Sequence, residues 1–238
     1  MTQNGTGKNQ IEEAIEVAAE AHQGQYRKGT RTPYITHPYA VGLILMEAGC
    51  PEAMIVAGIL HDTVEDTDLT LEFIQEHFGA YVANIVDGCS ENKALRWRAR
   101  KTERIEALRS ASPEICTVTC ADKLHNLRTI ISEYDVIGDA IWERFHGEVE
   151  DQAWYYRSIL GAISERDASL QKKAECVTLS KHDSGVDAQF DVKDTTPEQE
   201  ASDGDNTQEL SQAVDTVNPQ LFQQFQQAVA YLFEGVAS

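Results

Sequence analysis

The run from Ala53 to Leu60 is apolar or small at every position and passes directly into His61-Asp62-Thr63-Val64-Glu65-Asp66. That junction limits the fold more than any other stretch. A helix that is apolar all round is buried, so the polar residues that follow must leave from the protein interior. On a continuing helix, residues four apart share a face, which places His61 over Glu65 and Asp62 over Asp66. An imidazole and three carboxylates in such a place need water, protons or a cation. A divalent metal is the economical answer, and a solvated, inert acidic helix end is the plainer one.

Two further segments supply what a metal site would lack. Thr36-His37-Pro38 puts an imidazole at a helix start, and Ala121-Asp122-Lys123-Leu124-His125-Asn126 places Asp122 and Asn126 on one helical face. Taken together, His37, His61, Asp62 and Asp122 form a mixed nitrogen and oxygen set. It suits Mn²⁺ or another divalent first-row ion with positions left open for water. Zinc more often recruits thiolate or a third imidazole. Glu65 and Asp66 stay outside the ligand set, adjacent to it, where a carboxylate can orient or deprotonate water. The implied reaction is hydrolysis at phosphorus.

Charge narrows the substrate. The chain has 39 Asp and Glu against 20 Lys and Arg, a formal net charge of −19. Nucleic acid and anionic lipid both require a surplus of cations, so neither is an expected partner. The cations that exist are clustered. Arg27, Lys28 and Arg31 precede His37, and Lys93, Arg96, Arg98, Arg100, Lys101, Arg104 and Arg109 crowd one window with two glutamates. Such groups hold phosphate. A solvated helix face laced with ion pairs is the alternative for residues 93–109. The longest apolar run has eight residues, well short of the ~20 that span a bilayer. Residues 1–10 lack the apolar core of a secretory signal, and the five cysteines contain no Cys-x-x-Cys pair. Reduced thiols in a soluble, cytoplasmic protein are the expectation.

The fold class expected is all-α. Asn9, Thr70 and Ser112 are placed to cap helices, with Pro38, Pro51 and Pro113 in first turns. The helix after Thr70 is expected to end near Phe78-Gly79. Residues 1–175 make one helical domain. Residues 180–218 form an acidic linker, expected to be disordered because ten acidic residues, two lysines and few apolar side chains fall between Lys181 and Asn218. Residues 219–236 carry Leu221, Phe222, Phe225, Val229, Leu232 and Phe233 at helical spacing, a short amphipathic helix. That helix would dock on its own domain, a dimer mate or an unknown protein.

These segments resemble a known family. The spacing His37…His61-Asp62…Asp122 is similar to that of the HD-domain metal-dependent phosphohydrolases. Gly24-Gln25-Tyr26-Arg27-Lys28, Pro33-Tyr34-Ile35-Thr36-His37-Pro38, His61 to Thr67 and Ala121 to Thr129 resemble, more narrowly, the hydrolase domain of the RelA/SpoT-homologue family and its small alarmone hydrolases. The resemblance implies a single HD-type domain that removes the 3′-pyrophosphate from guanosine tetra- or pentaphosphate, giving GDP or GTP, with Mn²⁺. It further implies that His37, His61, Asp62 and Asp122 bind the metal and that Glu65 and Asp66 handle the attacking water. Arg27, Lys28, Asn126 and Thr129 would contact the guanine nucleotide, and Tyr34 would hold the loop; Lys101, from the basic window, is expected to join the substrate contacts. Two other readings remain open at this point. One is a phosphatase acting on a different nucleotide, such as NADPH or a nucleoside monophosphate, and the other is a module that senses alarmone without hydrolysing it. His22 reads as a core or boundary residue, His77 as a helix end, and His125 as lying about 60° off the Asp122 face at three residues' spacing. Cys116 and Cys120 read as small buried apolar groups.

Overall fold

The computed structural model describes residues 9–145, 147–182 and 216–236, with side chains through residue 169 and again from residue 216. The regular elements are helices α1 (Gln10–Ala21), α2 (Thr36–Glu47), α3 (Glu52–Leu60), α4 (Thr63–Asp66), α5 (Leu71–Cys89), α6 (Trp97–Leu108), α7 (Pro113–Ile137), α8 (Val149–His182) and α9 (Pro219–Leu232). A 3-10 stretch, Gly138–Arg144, links α7 to α8, and one isolated antiparallel bridge joins Tyr26 to Pro33. No helix among the described residues is long and apolar enough to cross a membrane.

The expected caps are in place. Asn9 Oδ1 accepts from Ile11 N at 2.9 Å, Thr70 Oγ1 from Phe73 N at 3.3 Å, and Ser112 Oγ from Ile115 N at 3.4 Å. Each satisfies a donor that a helix start leaves unpaired. Helix α3 lies at the centre, packed against α1, α2, α5 and α7, with every side chain from Met54 to Leu60 buried. Two glycines let α2 approach it. A Cβ on Gly58 would come within 2.3 Å of Leu45 Cδ1, and one on Gly42 within 2.6 Å of Ile59 Cγ1.

One expectation about a helix end holds and another needs correction. The helix capped by Thr70 is broken at Gly79, where φ is +86°, as expected, and a second helical stretch follows as far as Cys89. Val82, Ala83, Ile85 and Val86 are buried and hold the second half on the core. The helix through Leu60 does not continue to Asp66. It stops, His61 and Asp62 form a turn, and α4 restarts at Thr63. Thr63 Oγ1 donates to Leu60 O at 2.7 Å and closes the turn. Such side-chain bonds to the backbone compete with regular helix, and this one lies at the turn that separates α3 from α4.

Helix α8 continues to His182, past the boundary expected at residue 175. The acidic stretch over residues 183–215 lies outside the described residues. Chain packing begins again ahead of Pro219: Val217 is buried, and Asn218 donates from N to Thr117 Oγ1 and from Nδ2 to Ala48 O, both at 3.1 Å. Helix α9 docks on its own domain, against α7 and α8. Leu221, Phe225, Val229, Leu232 and Phe233 are buried. Tyr156 stacks on Phe233 with centroids 5.8 Å apart and meets Phe225 edge-on at 6.3 Å. Arg157 ties down the helix end, donating to Phe233 O at 2.8 Å and to Val236 O at 3.0 Å.

Phe225 is fully buried whereas Phe222 is only partly so. Phe225→Ala should therefore lower the unfolding free energy by about 3–5 kcal/mol, and Phe222→Ala by clearly less, as read from urea unfolding. Equal losses would mean that α9 is not seated in this way.

Candidate metal and substrate site

Three separated segments meet beneath the α3–α4 turn. His37 comes from the first turn of α2, His61 and Asp62 from the turn itself, and Asp122 from the middle of α7. His37 Nε2 lies 3.2 Å from Asp122 Oδ1 and 3.6 Å from Asp62 Oδ2. His61 Nε2 lies 3.2 Å from Asp62 Oδ2 and 3.8 Å from Asp122 Oδ1. The donor atoms of His37, His61 and Asp122 all fall within 4.8 Å of one another, close enough to share one ion.

The tautomer of His61 bears directly on whether this set fits a metal. Its Nδ1 lies 2.7 Å from Gly58 O, a carbonyl that can only accept, so the proton sits on Nδ1. Nε2 then turns a lone pair toward two carboxylates, is buried, and makes no hydrogen bond. That arrangement requires positive charge in the gap, as a proton or as a cation. Protonation follows the same logic. Burial disfavours charge on His61, yet Asp62 and Asp122 raise its pKa to about 9. Burial pushes Asp62 up, but His61 and His37 pull it below the carboxylate range. Asp122, likewise opposed by burial, is held well below that range by Lys123 and the two imidazoles. His37 goes the other way, because burial outweighs its carboxylate neighbours. The donor set and its unpartnered nitrogen suit a divalent ion.

A surrounding layer orients these groups. Tyr34 OH donates to Asp62 Oδ2 at 2.5 Å and to Asp66 Oδ2 at 3.3 Å. Asn126 Nδ2 donates to Asp122 Oδ1 at 2.6 Å, and Lys123 Nζ lies 2.7 Å from Asp122 Oδ2. His125 is nearer the centre than its spacing suggests: its Nδ1 lies 2.7 Å from Nδ1 of His37. Burial, with His37 and Arg27 nearby, lowers its pKa to about 4, so it stays neutral. A histidine three residues after Asp122 on a helix is the available signal, and the long contact to α2 is not readable from spacing. His22 is buried as expected, and its Nδ1 lies 2.9 Å from Gln25 Oε1. Gln25 Nε2 in turn donates to Asp66 O at 2.9 Å.

Glu65 and Asp66 flank the cluster. Glu65 Oε2 accepts from the main-chain N of Glu91 at 2.9 Å, and burial raises the Glu65 pKa above the ordinary glutamate value. Asp66 pairs with Lys93 as well as with Tyr34.

Beside the cluster opens a cavity of about 300 Å³. Arg27, Lys28, Lys101, Asn126 and Thr129 all line it, as do Arg100, Lys123 and Arg144. Tyr34, Lys123 and Asn126 belong to both places, touching the aspartates and the cavity. Arg27 Nη2 donates to Asn126 Oδ1 at 2.8 Å. Arg31 is not part of the lining. Of the seven cations in the basic window, Arg100 and Lys101 line the cavity. Arg98 pairs with Asp151 and lies over the Trp154 ring, Arg109 pairs with Glu106 and Glu165, and buried Arg104 bonds Thr119 Oγ1 at 2.6 Å. The ion-paired helix face accounts for much of that window.

The chain resembles known proteins. The family model described as "HD domain" matches residues 14–142. Over 129 residues the chain is 43% identical to the mouse and human proteins named guanosine-3′,5′-bis(diphosphate) 3′-pyrophosphohydrolase MESH1, an alignment covering 53% of this chain and 72% of theirs. It is 41% identical over 125 residues to a GTP pyrophosphokinase of Streptomyces coelicolor, spanning 51% of this chain and 15% of that much longer one. Among solved structures, a Listeria monocytogenes protein superposes with a TM-score of 0.57 at 27% identity, covering 83% of this chain and 99% of that one. A second, described as a metazoan ortholog of SpoT that hydrolyzes ppGpp, superposes with a TM-score of 0.55 at 28% identity, covering 70% and 88%. Matched over more than half its length, with two buried histidines and two aspartates drawn together, the chain belongs to the HD-domain family of metal-dependent hydrolases.

Proposed function

We propose that this protein hydrolyses guanosine 3′,5′-bis(diphosphate), releasing the 3′-pyrophosphate to leave GDP, acts likewise on the pentaphosphate to leave GTP, and uses Mn²⁺. The names of the mouse and human relatives and the activity described for the metazoan structure support this substrate. The observation that carries the reading is the buried, unpartnered Nε2 of His61 facing Asp62 and Asp122 beside a cavity walled by arginine and lysine.

His37, His61, Asp62 and Asp122 would hold the cation, which supplies Lewis acidity and acidifies bound water. Glu65, more basic than an ordinary glutamate, accepts a proton from the attacking water. Asp66, fixed by Tyr34 and Lys93, orients that water. The water oxygen joins phosphorus, the bond from phosphorus to the ribose 3′-oxygen breaks, and that oxygen leaves with the proton that Glu65 took from the water. Arg27, Lys28 and Lys101 neutralise phosphate, while Asn126 and Thr129 contact the nucleoside.

Incubating the protein with Mn²⁺ and guanosine tetraphosphate should yield GDP and pyrophosphate in equal amounts by anion-exchange chromatography. Orthophosphate as the product would overturn the reading. Chelation should abolish turnover and added Mn²⁺ restore it, while Asp62→Ala should lose bound metal and activity together. Tyr34→Phe keeps the ring but frees both carboxylates, so metal affinity or activity should fall roughly 10- to 100-fold without loss of the folded helical spectrum.

A further inference from the structure

Between the cavity cations and the reacting turn lies a carboxylate with no part in the chemistry above. Glu91 follows α5, and its side chain is only 7% exposed. Its oxygens accept from Lys101 Nζ at 2.8 and 2.9 Å and from Tyr155 OH at 3.1 Å, and Arg100 Nε lies 3.0 Å away. Its main-chain N–H is the group that donates to Glu65. Lys101, Arg100 and Tyr155 all line the cavity. Burial opposes charge on Glu91, but Lys123 and Lys101 outweigh it and hold the pKa below the ordinary glutamate value. Glu91 is therefore an anion set directly against Lys101 and Arg100, two cations of the cavity wall.

Such a group works against the binding of phosphate by simple Coulomb repulsion, so ligand affinity does not explain it. It does explain how Lys101 and Arg100 stay side by side: a shared carboxylate offsets their mutual repulsion and fixes both side chains before a ligand arrives. Binding ground state and product too tightly brings no gain in turnover. We propose that Glu91 is a positioning residue, a resident counter-anion that holds Lys101 and Arg100 at the cavity wall and competes with ligand phosphate for them. The inference rests on the reading of this cavity as the phosphate site.

Calorimetric titration of the full-length, metal-containing protein with inorganic pyrophosphate tests it. Glu91→Gln keeps the size and removes the charge, so pyrophosphate should bind roughly tenfold more tightly, with metal content unchanged. Glu91→Asp keeps the charge and should not tighten binding. A residue that only supported the fold would loosen binding in both variants, and unchanged or weaker binding in Glu91→Gln overturns the proposal. If Glu91→Gln does not fold, Lys101→Gln decides. It should weaken binding by leaving Glu91 uncompensated, and adding Glu91→Gln to it should recover affinity; no recovery overturns the proposal. If guanosine tetraphosphate is not cleaved but pyrophosphate still binds Glu91→Gln more tightly, the substrate assignment falls and the role of Glu91 stands. If cleavage occurs without any tightening, the substrate assignment stands and the role of Glu91 falls.

Discussion

A lone pair and two carboxylates do not share a buried space unless something positive lies between them, and the rest of the molecule is arranged around that requirement. Gly58 serves it twice. Its carbonyl fixes the proton of His61 on Nδ1, so that Nε2 faces Asp62 and Asp122. Its missing Cβ lets Leu45 close over the backbone, which seats α2 on α3. Helix α2 in turn delivers His37. Tyr34, Asn126 and Lys123 then occupy carboxylate positions that would otherwise remain unpaired, as buried polar groups demand.

The strongly negative chain and its cationic cavity are reconciled by pairing. Arg144 is matched by Glu133, Lys123 by Asp122, and Lys101 with Arg100 by Glu91. Positive charge is thus present where a phosphate ligand needs it, already offset by carboxylates held nearby. Remote acidic residues matter little to such a site, because exposed charges farther apart than about 8 Å are largely screened at physiological salt.

Much of this is legible in the sequence where it depends on local chemistry. Helix starts are readable because Asn9, Thr70 and Ser112 act within three residues of themselves. That His37, His61, Asp62 and Asp122 come together is readable because an apolar helix running into His61-Asp62 calls for polar partners from elsewhere, and few segments offer them. The break after Leu60 is not, since apolar periodicity carries no mark of the turn in which the Thr63 hydroxyl bonds Leu60 O. His125 and Glu91 escape for a different reason. Each acts through partners far along the chain, His37 lying 88 positions from His125 and Glu65 lying 26 from Glu91, and spacing on one element says nothing about what stands opposite. The resemblance implies that Tyr34 holds the loop, and it does not reveal that the hydroxyl bonds two carboxylates.

The seating of α9 carries a kinetic consequence. Asn218 bonds Thr117 across 101 positions and Ala48 across 170. Contacts so distant cost chain entropy before they return any stabilisation, and folding slows as they dominate. Until α9 is seated, the Tyr156 ring that meets Phe225 and Phe233 lacks both of those partners. During that interval the nascent protein is most exposed to self-association, and whatever hastens the arrival of α9 protects it.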